Sequence, residues 1–398
     1  MNLCVVSPFP PEIITGVGQY AWNIVQGLAR SGRFQSIRVL AGARSARGHP
    51  PLKLGDVAVD YRWVRDEAAS VGRLLAEVRA LRPDVVWLNL GFMVFGSSRR
   101  VNFLGLMLPW LLRGLGVPSV VTLHELYDAI TPESIGARNG WLTTQGARLA
   151  TRMLLRAERV CVALRRYQAI IQNRYGARNV GYIPLGVFTQ PELLPHPPGA
   201  PRHHLLMFNA HAPYRGLPVL LEAFARVRRV YPEAVLTVAG DDHPRFTGYL
   251  AEQQARAKEA ANVRWLGYLA EAQLHDVFAQ ASLVVMPYTA TTGASSVLHR
   301  AVAYGRPVLA SDLPDLRCDA EDENFWLDYA PPADPEALSE ALVRLLADTE
   351  RQQRLARHNL AVAQTMTLEH TCARYADLFA HVVSRRAAMR DPGWAVNP

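Results

Sequence analysis

The chain has few lysines, few cysteines and no long apolar run, and the last two shortages each argue against a class of protein. Lys53 and Lys258 are the only lysines among 43 basic residues, yet the formal net charge is +8. The four cysteines are far apart without a CxxC pair, which argues against a zinc site or disulfide framework and favours a reduced, cytoplasmic protein. No basic stripe interleaved with aromatic residues occurs, so we expect nucleotides, phosphates or acidic lipid headgroups as partners, and no nucleic acid.

No segment reaches the roughly 18 to 20 uninterrupted apolar residues of a membrane-spanning helix. The start also lacks the basic region and apolar length of a signal peptide. Residues 99–116 come closest, with Arg99 and Arg100 at the start and Arg113 near the end. Two interpretations stay open: a buried helix kinked at Pro109, or an interfacial helix on an anionic membrane, which would place the protein peripherally on the inner face of the cell membrane.

Short β-branched runs alternate with amphipathic helical patterns along all 398 residues. Predicted strands include residues 3–7, 84–90 and 119–125, and later 204–210, 234–240, 283–288 and 307–311. Buried strands separated by helices indicate parallel sheets covered on both faces. The sequence therefore predicts an α/β fold with two doubly wound, Rossmann-like domains facing each other across a cleft.

The proline-rich stretch 191–204 interrupts both periodicities and predicts the linker between the domains. We predict an N-terminal domain at residues 1–190 and a C-terminal domain at residues 205–370. Residues 371–398 are expected to form a helix that packs back toward the N-terminal domain, followed by a loose tail. Doubly wound sheets bind ligands where their strands end, so the loops at those ends are the candidate sites.

The loop after the first predicted strand contains Gly16, Gly18 and Ala21, which formally match the G-x-G-x-x-A dinucleotide fingerprint. The loop is too long for the tight turn of that fingerprint, and no acidic residue for a ribose follows the second strand. We therefore do not expect a dehydrogenase. Two interpretations remain: backbone N–H groups that bind an anion at a helix N-terminus, or a simple turn.

A second helix start combines four small residues, namely Gly293, Ala294, Ser295 and Ser296. Small residues leave backbone N–H groups accessible in the first turn, and these groups can bind an anion. His299 and Arg300 project to the polar side of the predicted helix, so the charge of Arg300 can reach the same anion. The alternative is an ordinary serine cap with a solvated helix face.

Two further side chains lie near strand ends. His124 ends the predicted strand 119–125, and Arg215 lies between a strand and an amphipathic helix. An arginine near a helix start can bind a phosphate through two parallel hydrogen bonds, or it can simply be solvated. A histidine at a strand end is either a ligand-contacting or a structural residue. The cysteines have no metal-ligand spacing, and the consecutive residues Asp241, Asp242 and His243 cannot easily share one metal, so we expect no metal.

Taken in order, these segments resemble the retaining glycosyltransferases of family four, which have the two-domain GT-B fold. The resemblance covers nearly the whole chain, from the glycine loop and helix at residues 8–32 to AVAYGRPVLASD at residues 301–312. The segment APYRGLPVLLEAF is similar to the family's proline-tyrosine-lysine-glycine segment, with Arg215 in place of the lysine. Leu266 and Gly267 lie in a stretch similar to the one whose backbone holds the nucleotide base.

The resemblance implies transfer of a hexosyl group from a UDP- or GDP-linked sugar to a glycan, lipid-linked or small-molecule acceptor, with retained configuration. The donor is expected on the C-terminal domain and the acceptor on the N-terminal domain, with no cofactor required. His124 would be the catalytic residue, orienting the sugar or the acceptor. Gly16, Gly18 and Arg215, together with residues 292–296, would bind the donor.

The chain departs from the family where carboxylates are expected. The family's two glutamates correspond to Thr292 and Arg300, an additional arginine corresponds to Ala212, and an asparagine and an aspartate correspond to Leu185 and Phe188. One hypothesis is that the phosphate pocket is retained, that recognition of ribose and sugar is rebuilt, and that Arg300 supplies compensating charge. The alternatives are a non-catalytic GT-B protein that binds a partner transferase or a glycan, and another GT-B enzyme such as an inverting transferase or an epimerase.

Overall fold

The computed structural model describes residues 1–43, 45, 52–136 and 140–390. The chain forms two compact units. Unit 1 comprises Met1–Ala129, Asn139–Pro184 and Leu368–Pro398, and unit 2 comprises Ile130–Arg138 and Leu185–Thr367. Each unit contains one sheet, and nearly all neighbouring strands are parallel, which confirms the predicted α/β class. The predicted linker 191–204 lies within unit 2, and the domain limits drawn from the sequence remain a prediction.

Unit 1 is built on an eight-stranded sheet. Its strands are β1 (Asn2–Ser7), β2 (Ser36–Ala43), β3 (Leu52–Leu54), β4 (Val57–Val64), β5 (Val85–Leu90), β6 (Ser119–Leu123), β7 (Arg159–Val162) and β8 (Val180–Tyr182). Their order is β3-β4-β2-β1-β5-β6-β7-β8, and only the short β3 runs antiparallel to its neighbour. The strand order reverses beside β1, so the crevice where such sheets bind ligands lies at the ends of β1 and β5.

The helices of unit 1 cover this sheet. They are α1 (Gly16–Arg30), α2 (Ala69–Leu81), α3 (Arg99–Leu106), α4 (Leu108–Gly114), α5 (Trp141–Leu154), α6 (Arg165–Tyr175) and the C-terminal helix Leu368–Arg390. The C-terminal helix packs on α1 so closely that a side chain at Gly27 would come within 2.4 Å of Cys372 Sγ. The Tyr375 hydroxyl also lies 2.9 Å from that of Tyr20, which ties the end of the chain to the core of unit 1.

The apolar segment 99–116 consists of two short helices, α3 and α4, separated at Met107. Pro109 lies in the first turn of α4, where the missing N–H has no helical partner in any case. Val101, Leu106 and Leu112 are buried, so much of the segment belongs to the core. Among the described residues, no helix is both long and apolar enough to cross a membrane.

Unit 2 is built on a six-stranded sheet. Its strands are β9 (His204–Phe208), β10 (Val235–Ala239), β11 (Val263–Gly267), β12 (Leu283–Met286), β13 (Val308–Ser311) and β14 (Asp328–Ala330). All neighbours in the order β11-β10-β9-β12-β13-β14 are parallel. This is the strand order of a dinucleotide-binding sheet, and it reverses between β9 and β12.

Helices cover both faces of this second sheet. They are α7 (Leu217–Val230), α8 (Tyr249–Arg256), α9 (Glu271–Gln280), α10 (Ser296–Ala303), α11 (Pro314–Glu323), α12 (Pro335–Ala347) and α13 (Thr349–Ala363), and the C-terminal helix of unit 1 is therefore α14. Two apolar clusters fill the space between helices and strands. The buried Arg306 donates to the carbonyl oxygens of Leu194 and Ala279, so it fixes the proline-rich stretch against α9.

Candidate functional site

The loops that follow β9 and β12 meet where the strand order of unit 2 reverses. The Tyr288 hydroxyl, after β12, donates to Asn209 Oδ1, after β9, over 2.7 Å. Gly216 has a φ of +73°, and a Cβ there would lie 1.7 Å from the Pro287 carbonyl oxygen. Only glycine fits that conformation and that approach, so the two loops are held together at the ligand-binding edge of the sheet.

Arg215 lies in this crevice, as predicted for a residue that follows the first strand of the unit. Its guanidinium stacks 4.5 Å from the ring centroid of Tyr288 and 5.2 Å from that of Tyr214. Burial raises the pKa of Tyr288, and the charge of Arg215 opposes that increase. Arg215 forms no ion pair within the described part of the chain, and its Nε is buried without a hydrogen-bond partner. The stacked cation is therefore available to an anion.

The small residues before α10 form the second element of this site. Ser295 is the N-cap, and its hydroxyl accepts from the backbone N–H of Leu298. The backbone N–H groups of Gly293, Ala294 and Ser296 have no acceptor in the residues that the structure describes. Hydrogen bonds with the side chains of Ser295 and Arg215 also lower the pKa of Tyr288, so both side chains lie beside its hydroxyl. The structure thus places the predicted cation and the predicted backbone donors side by side.

Two expectations for this helix start are wrong. The backbone N–H of Ser295 is not available to an anion, because it donates to Asp319 Oδ2 over 2.7 Å. His299 does not lie on a solvated face, because α11 covers that side of α10 and leaves the histidine 2% exposed. A helical projection shows which residues share a face, but it does not show which other helix packs against that face.

Arg300 is not an unpaired cation. Its Nη1 and Nη2 donate to the two carboxylate oxygens of Glu271, and Nη1 also donates to Thr189 Oγ1 over 3.2 Å. Glu271 begins α9, which follows the stretch resembling a base-binding segment. The charge of Arg300 is therefore largely neutralised by a carboxylate.

The remaining predicted donor residues of unit 2 lie farther along the same edge. Leu266 and Gly267 end the edge strand β11, where Leu266 is exposed and the Gly267 carbonyl accepts from the Gly240 N–H. Within the described residues, no hydrogen bond joins either of them to Arg215 or to α10. Thr292 lies in the loop before α10 and is partly exposed.

In unit 1, His124 is connected to the glycine loop through a residue that the sequence did not single out. His124 Nε2 lies 2.7 Å from Asn89 Oδ1, and Asn89 Nδ2 donates to Ser7 Oγ and to the Val17 carbonyl. Because Val17 O can only accept, the Asn89 amide orientation is fixed and His124 Nε2 carries the proton. Burial lowers the pKa of His124 to about 4. The neutral ring therefore keeps Nδ1 as an acceptor.

The glycine loop itself is a capped helix start. Thr15 is the N-cap of α1, and its hydroxyl accepts from the Gly18 N–H over 3.1 Å. A Cβ at Gly18 would lie 3.0 Å from the Ile13 carbonyl, whereas Gly16 has open space around it. The structure therefore brings Gly16, Gly18 and His124 to one edge of the sheet, with one of the predicted anion donors already used by the cap.

Asn89, Asn209 and Tyr288 contribute to these two edges and were missed in the sequence. Asn89 is a polar residue inside the otherwise apolar run DVVWLNL, and this is the signal that could have found it. Asn209 and Tyr288 directly follow buried strands, at the positions where doubly wound sheets carry their ligand contacts.

Comparisons with known proteins identify the family of the chain. Residues 15–186 match the family model described as glycosyl transferase 4-like domain, and residues 202–348 match the model described as glycosyl transferases group 1. A lipopolysaccharide 1,2-N-acetylglucosaminetransferase of Salmonella typhimurium is 27% identical over 176 residues, which are 43% of this chain and 46% of that protein. A phosphatidyl-myo-inositol mannosyltransferase of Mycobacterium tuberculosis is 30% identical over 156 residues, 38% of this chain and 39% of that protein. The chain thus spans less than half the length of these curated relatives.

Solved structures resemble the chain over nearly its whole length. The crystal structure of Anabaena HepE in complex with UDP-glucose matches with a TM-score of 0.69 at 16% identity, covering 96% of this chain and all of that one. A likeness at this identity shows the fold. Together, the two family models and the shared fold assign the chain to the GT-B glycosyltransferases.

Proposed function

We propose that the protein transfers a hexosyl group from a nucleoside diphosphate sugar to an acceptor, with retention of configuration. The observation that carries this proposal is the pairing of Arg215, which has no carboxylate partner among the described residues, with the backbone N–H groups of Gly293, Ala294 and Ser296 at the switch point of unit 2. A stacked cation and a helix N-terminus are what a diphosphate requires.

In the proposed reaction, unit 2 stabilises the leaving diphosphate. Negative charge develops on the oxygen that leaves the sugar, and Arg215 with the N–H groups of Gly293, Ala294 and Ser296 would interact with it more strongly as it forms. These hydrogen-bonding groups are already held in place before the nucleotide sugar binds, so little reorganisation is needed during the reaction. No metal or other cofactor enters the proposal.

His124 has a different proposed role. Its neutral ring presents Nδ1 as an acceptor, while Asn89 holds Nε2–H. It would accept a hydrogen bond from a hydroxyl of the sugar or of the acceptor and so orient that group. A ring held neutral by burial keeps this role across the physiological pH range.

The donor and acceptor classes are supported by the proteins that this chain resembles. The structural neighbour binds UDP-glucose, which favours a nucleoside diphosphate sugar and leaves UDP and GDP as the two donor nucleotides to test. The names of the two curated relatives describe transfer to a lipopolysaccharide and to a phosphatidyl-inositol, which favours a lipid-linked glycan as acceptor.

We also propose that unit 1 lies on an anionic membrane surface on the cytoplasmic side. Helices α3, α4 and α5 pack together and contain no acidic residue. Trp141 and Leu142 are 73% and 77% exposed at the start of α5, and Leu104 and Trp110 are also exposed. Exposed tryptophan and leucine beside arginines suit an interface between water and acidic headgroups.

Sedimentation with vesicles tests the membrane proposal. Phosphatidylglycerol vesicles should carry the protein into the pellet at low salt, and phosphatidylcholine vesicles should not. Replacing both Trp141 and Leu142 by serine should reduce the pelleted fraction at least fivefold. Trp326→Ser is the matched control, since Trp326 is an exposed tryptophan of unit 2. Equal pelleting of all three proteins would remove the proposal.

Turnover with a panel of nucleotide sugars tests the reaction. The protein is incubated with UDP- and GDP-linked sugars and with membrane lipid extract, and released nucleoside diphosphate and glycosylated lipid are measured. The anomeric configuration of the product, read by NMR, separates retention from inversion. Nucleotide binding without release of diphosphate or transfer of sugar would instead support the non-catalytic alternative.

A further inference from the structure

Three acidic residues of α11, namely Asp315, Asp319 and Glu323, lie four residues apart and therefore face the same side of that helix. All three are buried. Buried carboxylates need hydrogen-bond partners or opposite charges, so the partners of these three residues should explain why they are buried. Their partners come from the loop before α10 and from the first turn of α10, and they also recur every four residues: Thr291, Ser295 and His299.

The first two contacts hold the loop before α10. Thr291 Oγ1 donates to Asp315 Oδ2 over 3.0 Å. The backbone N–H of Ser295 donates to Asp319 Oδ2 over 2.7 Å. The loop between these two anchors contains Gly293 and Ala294, whose backbone N–H groups have no acceptor in the described residues.

The third contact involves a charged histidine. His299 Nδ1 lies 2.8 Å from the Ser295 carbonyl, and Nε2 lies 2.5 Å from Glu323 Oε2. Both partners are acceptors, so both ring nitrogens carry protons. Burial alone would lower the pKa of His299, but the carboxylates of Glu323 and Asp319 raise it to about 9. The imidazolium therefore ties the first turn of α10 to the end of α11.

Among these three acidic residues, Asp319 has a carboxylate oxygen that accepts no hydrogen bond from the described residues. Its Oδ1 is buried without a hydrogen-bond partner in the described residues. Burial raises the pKa of Asp319 to about 7, against the charge of His299 and together with those of Glu323 and Asp315. Tyr329 of β14 also faces Asp319, and the Asp319 charge contributes to the raised pKa of that tyrosine. Asp319 thus exchanges its proton near neutral pH.

We propose that Asp315, Asp319 and Glu323 are positioning residues that hold the segment 291–296 in the conformation that binds the donor diphosphate. The inference rests on the proposed function and concerns how its phosphate site is built. The three carboxylates are buried and act through Thr291, the Ser295 N–H and His299, not by touching the donor.

The arrangement has a consequence for pH dependence. As the pH rises through 7, Asp319 loses its proton and adds one negative charge beside the helix N-terminus that binds an anion. The affinity for the nucleotide sugar should therefore fall with rising pH. The expected change is about tenfold between pH 6 and 8.5, because the charge of Asp319 lies beside the N–H groups that bind the diphosphate. A purely structural salt bridge elsewhere in the protein would not produce this trend.

Calorimetric titration of UDP-glucose and GDP-mannose at pH 6 and 8.5 tests the proposal. Both phosphates of these probes are diesters, so the ligand charge is constant over this range. Asp319→Asn keeps an acceptor for the Ser295 N–H and should remove the pH dependence. Asp319→Ala should also remove the pH dependence, and it should bind the probes about tenfold more weakly than Asp319→Asn at both pH values, because it lacks the acceptor for the Ser295 N–H. Glu321→Gln is the matched control, an exposed acidic residue of the same helix that should behave like the wild type.

Amide hydrogen exchange without ligand provides a second readout. The Ser295 amide should exchange at least tenfold faster in Asp319→Ala than in the wild type. Its exchange rate should be unchanged in Glu321→Gln. The inference would be overturned if every variant bound the probes with the affinity and the pH dependence of the wild type. It would also be overturned if the Ser295 amide exchanged at the wild-type rate in Asp319→Ala. If the wild type binds neither probe while exchange changes as expected, the proposed donor site fails and the positioning of the segment stands.

Discussion

The two units each contain a loop rich in small residues that leads into a helix, and the two helix starts differ in the side chains that surround their backbone donors. At the start of α1, the Thr15 hydroxyl takes the Gly18 N–H, and the neighbouring side chain is the neutral His124. At the start of α10, an acidic residue of another helix takes one N–H, three more have no acceptor in the described residues, and the cation Arg215 lies nearby.

This comparison shows why small residues before a helix do not by themselves identify an anion site. The number of donors left for a ligand depends on caps and on side chains that arrive from distant segments. The charge beside the helix start then decides whether an anion is favoured. By the charge beside them, the start of α10 suits a diphosphate, and the start of α1 suits a neutral group such as a sugar or an acceptor hydroxyl.

Removing the cation at α10 should have the largest effect. Arg215→Ala should weaken nucleoside diphosphate binding at least a hundredfold, since a charge-assisted pair of hydrogen bonds would be lost, and calorimetry measures this directly. Arg317→Ala is the matched control, because Arg317 also stacks on a tyrosine but is paired with Asp312. Equal losses in both variants would contradict the special role of Arg215.

Replacing the neutral histidine at the other edge should affect catalysis without affecting donor binding. His124→Ala should lower kcat by about 10- to 100-fold, the range of a lost orienting contact, and leave the affinity for nucleoside diphosphate unchanged. Because burial holds the pKa of His124 near 4, we expect no inflection from this residue between pH 5.5 and 8. A comparable loss of nucleotide affinity in this variant would contradict the division of roles.

Removing the two caps compares the helix starts directly. Thr15→Ala and Ser295→Ala should each destabilise the protein by about 1 kcal/mol, measured by chemical denaturation. Only Ser295→Ala should also weaken nucleotide binding, by roughly fivefold, because its cap lies within the anion site. A loss of nucleotide affinity in Thr15→Ala of the same size would show that the glycine loop binds the diphosphate after all.

The smallest effect is expected at Arg300. Its charge is already paired with Glu271, so Arg300→Ala should change nucleotide affinity less than threefold. Glu271→Ala serves as the partner variant in a double-mutant cycle. A loss above tenfold in Arg300→Ala would instead support the sequence-based hypothesis that Arg300 supplies charge to the diphosphate.

Much of the fold could be predicted from the sequence, because buried β-branched runs and amphipathic helices are local patterns. Arg215 and His124 could be placed at strand ends for the same reason. The partners of Arg300 and His299 could not, since Glu271 and Glu323 lie 29 and 24 residues away and reach them only through tertiary packing. The role of Asn89 was hidden because a polar residue inside a strand gives no indication of its partners.

A thermal-shift titration with UDP, GDP, ADP and dTDP, on the wild type and on Arg215→Ala, tests the central claim most directly. A ligand at a hundred times its dissociation constant stabilises the folded state by about 2.7 kcal/mol, which is readily measured. We predict a clear shift of the wild type with UDP or GDP and none in Arg215→Ala. No shift with any nucleotide, or an equal shift in both proteins, would contradict the assignment of the diphosphate site to Arg215 and the start of α10.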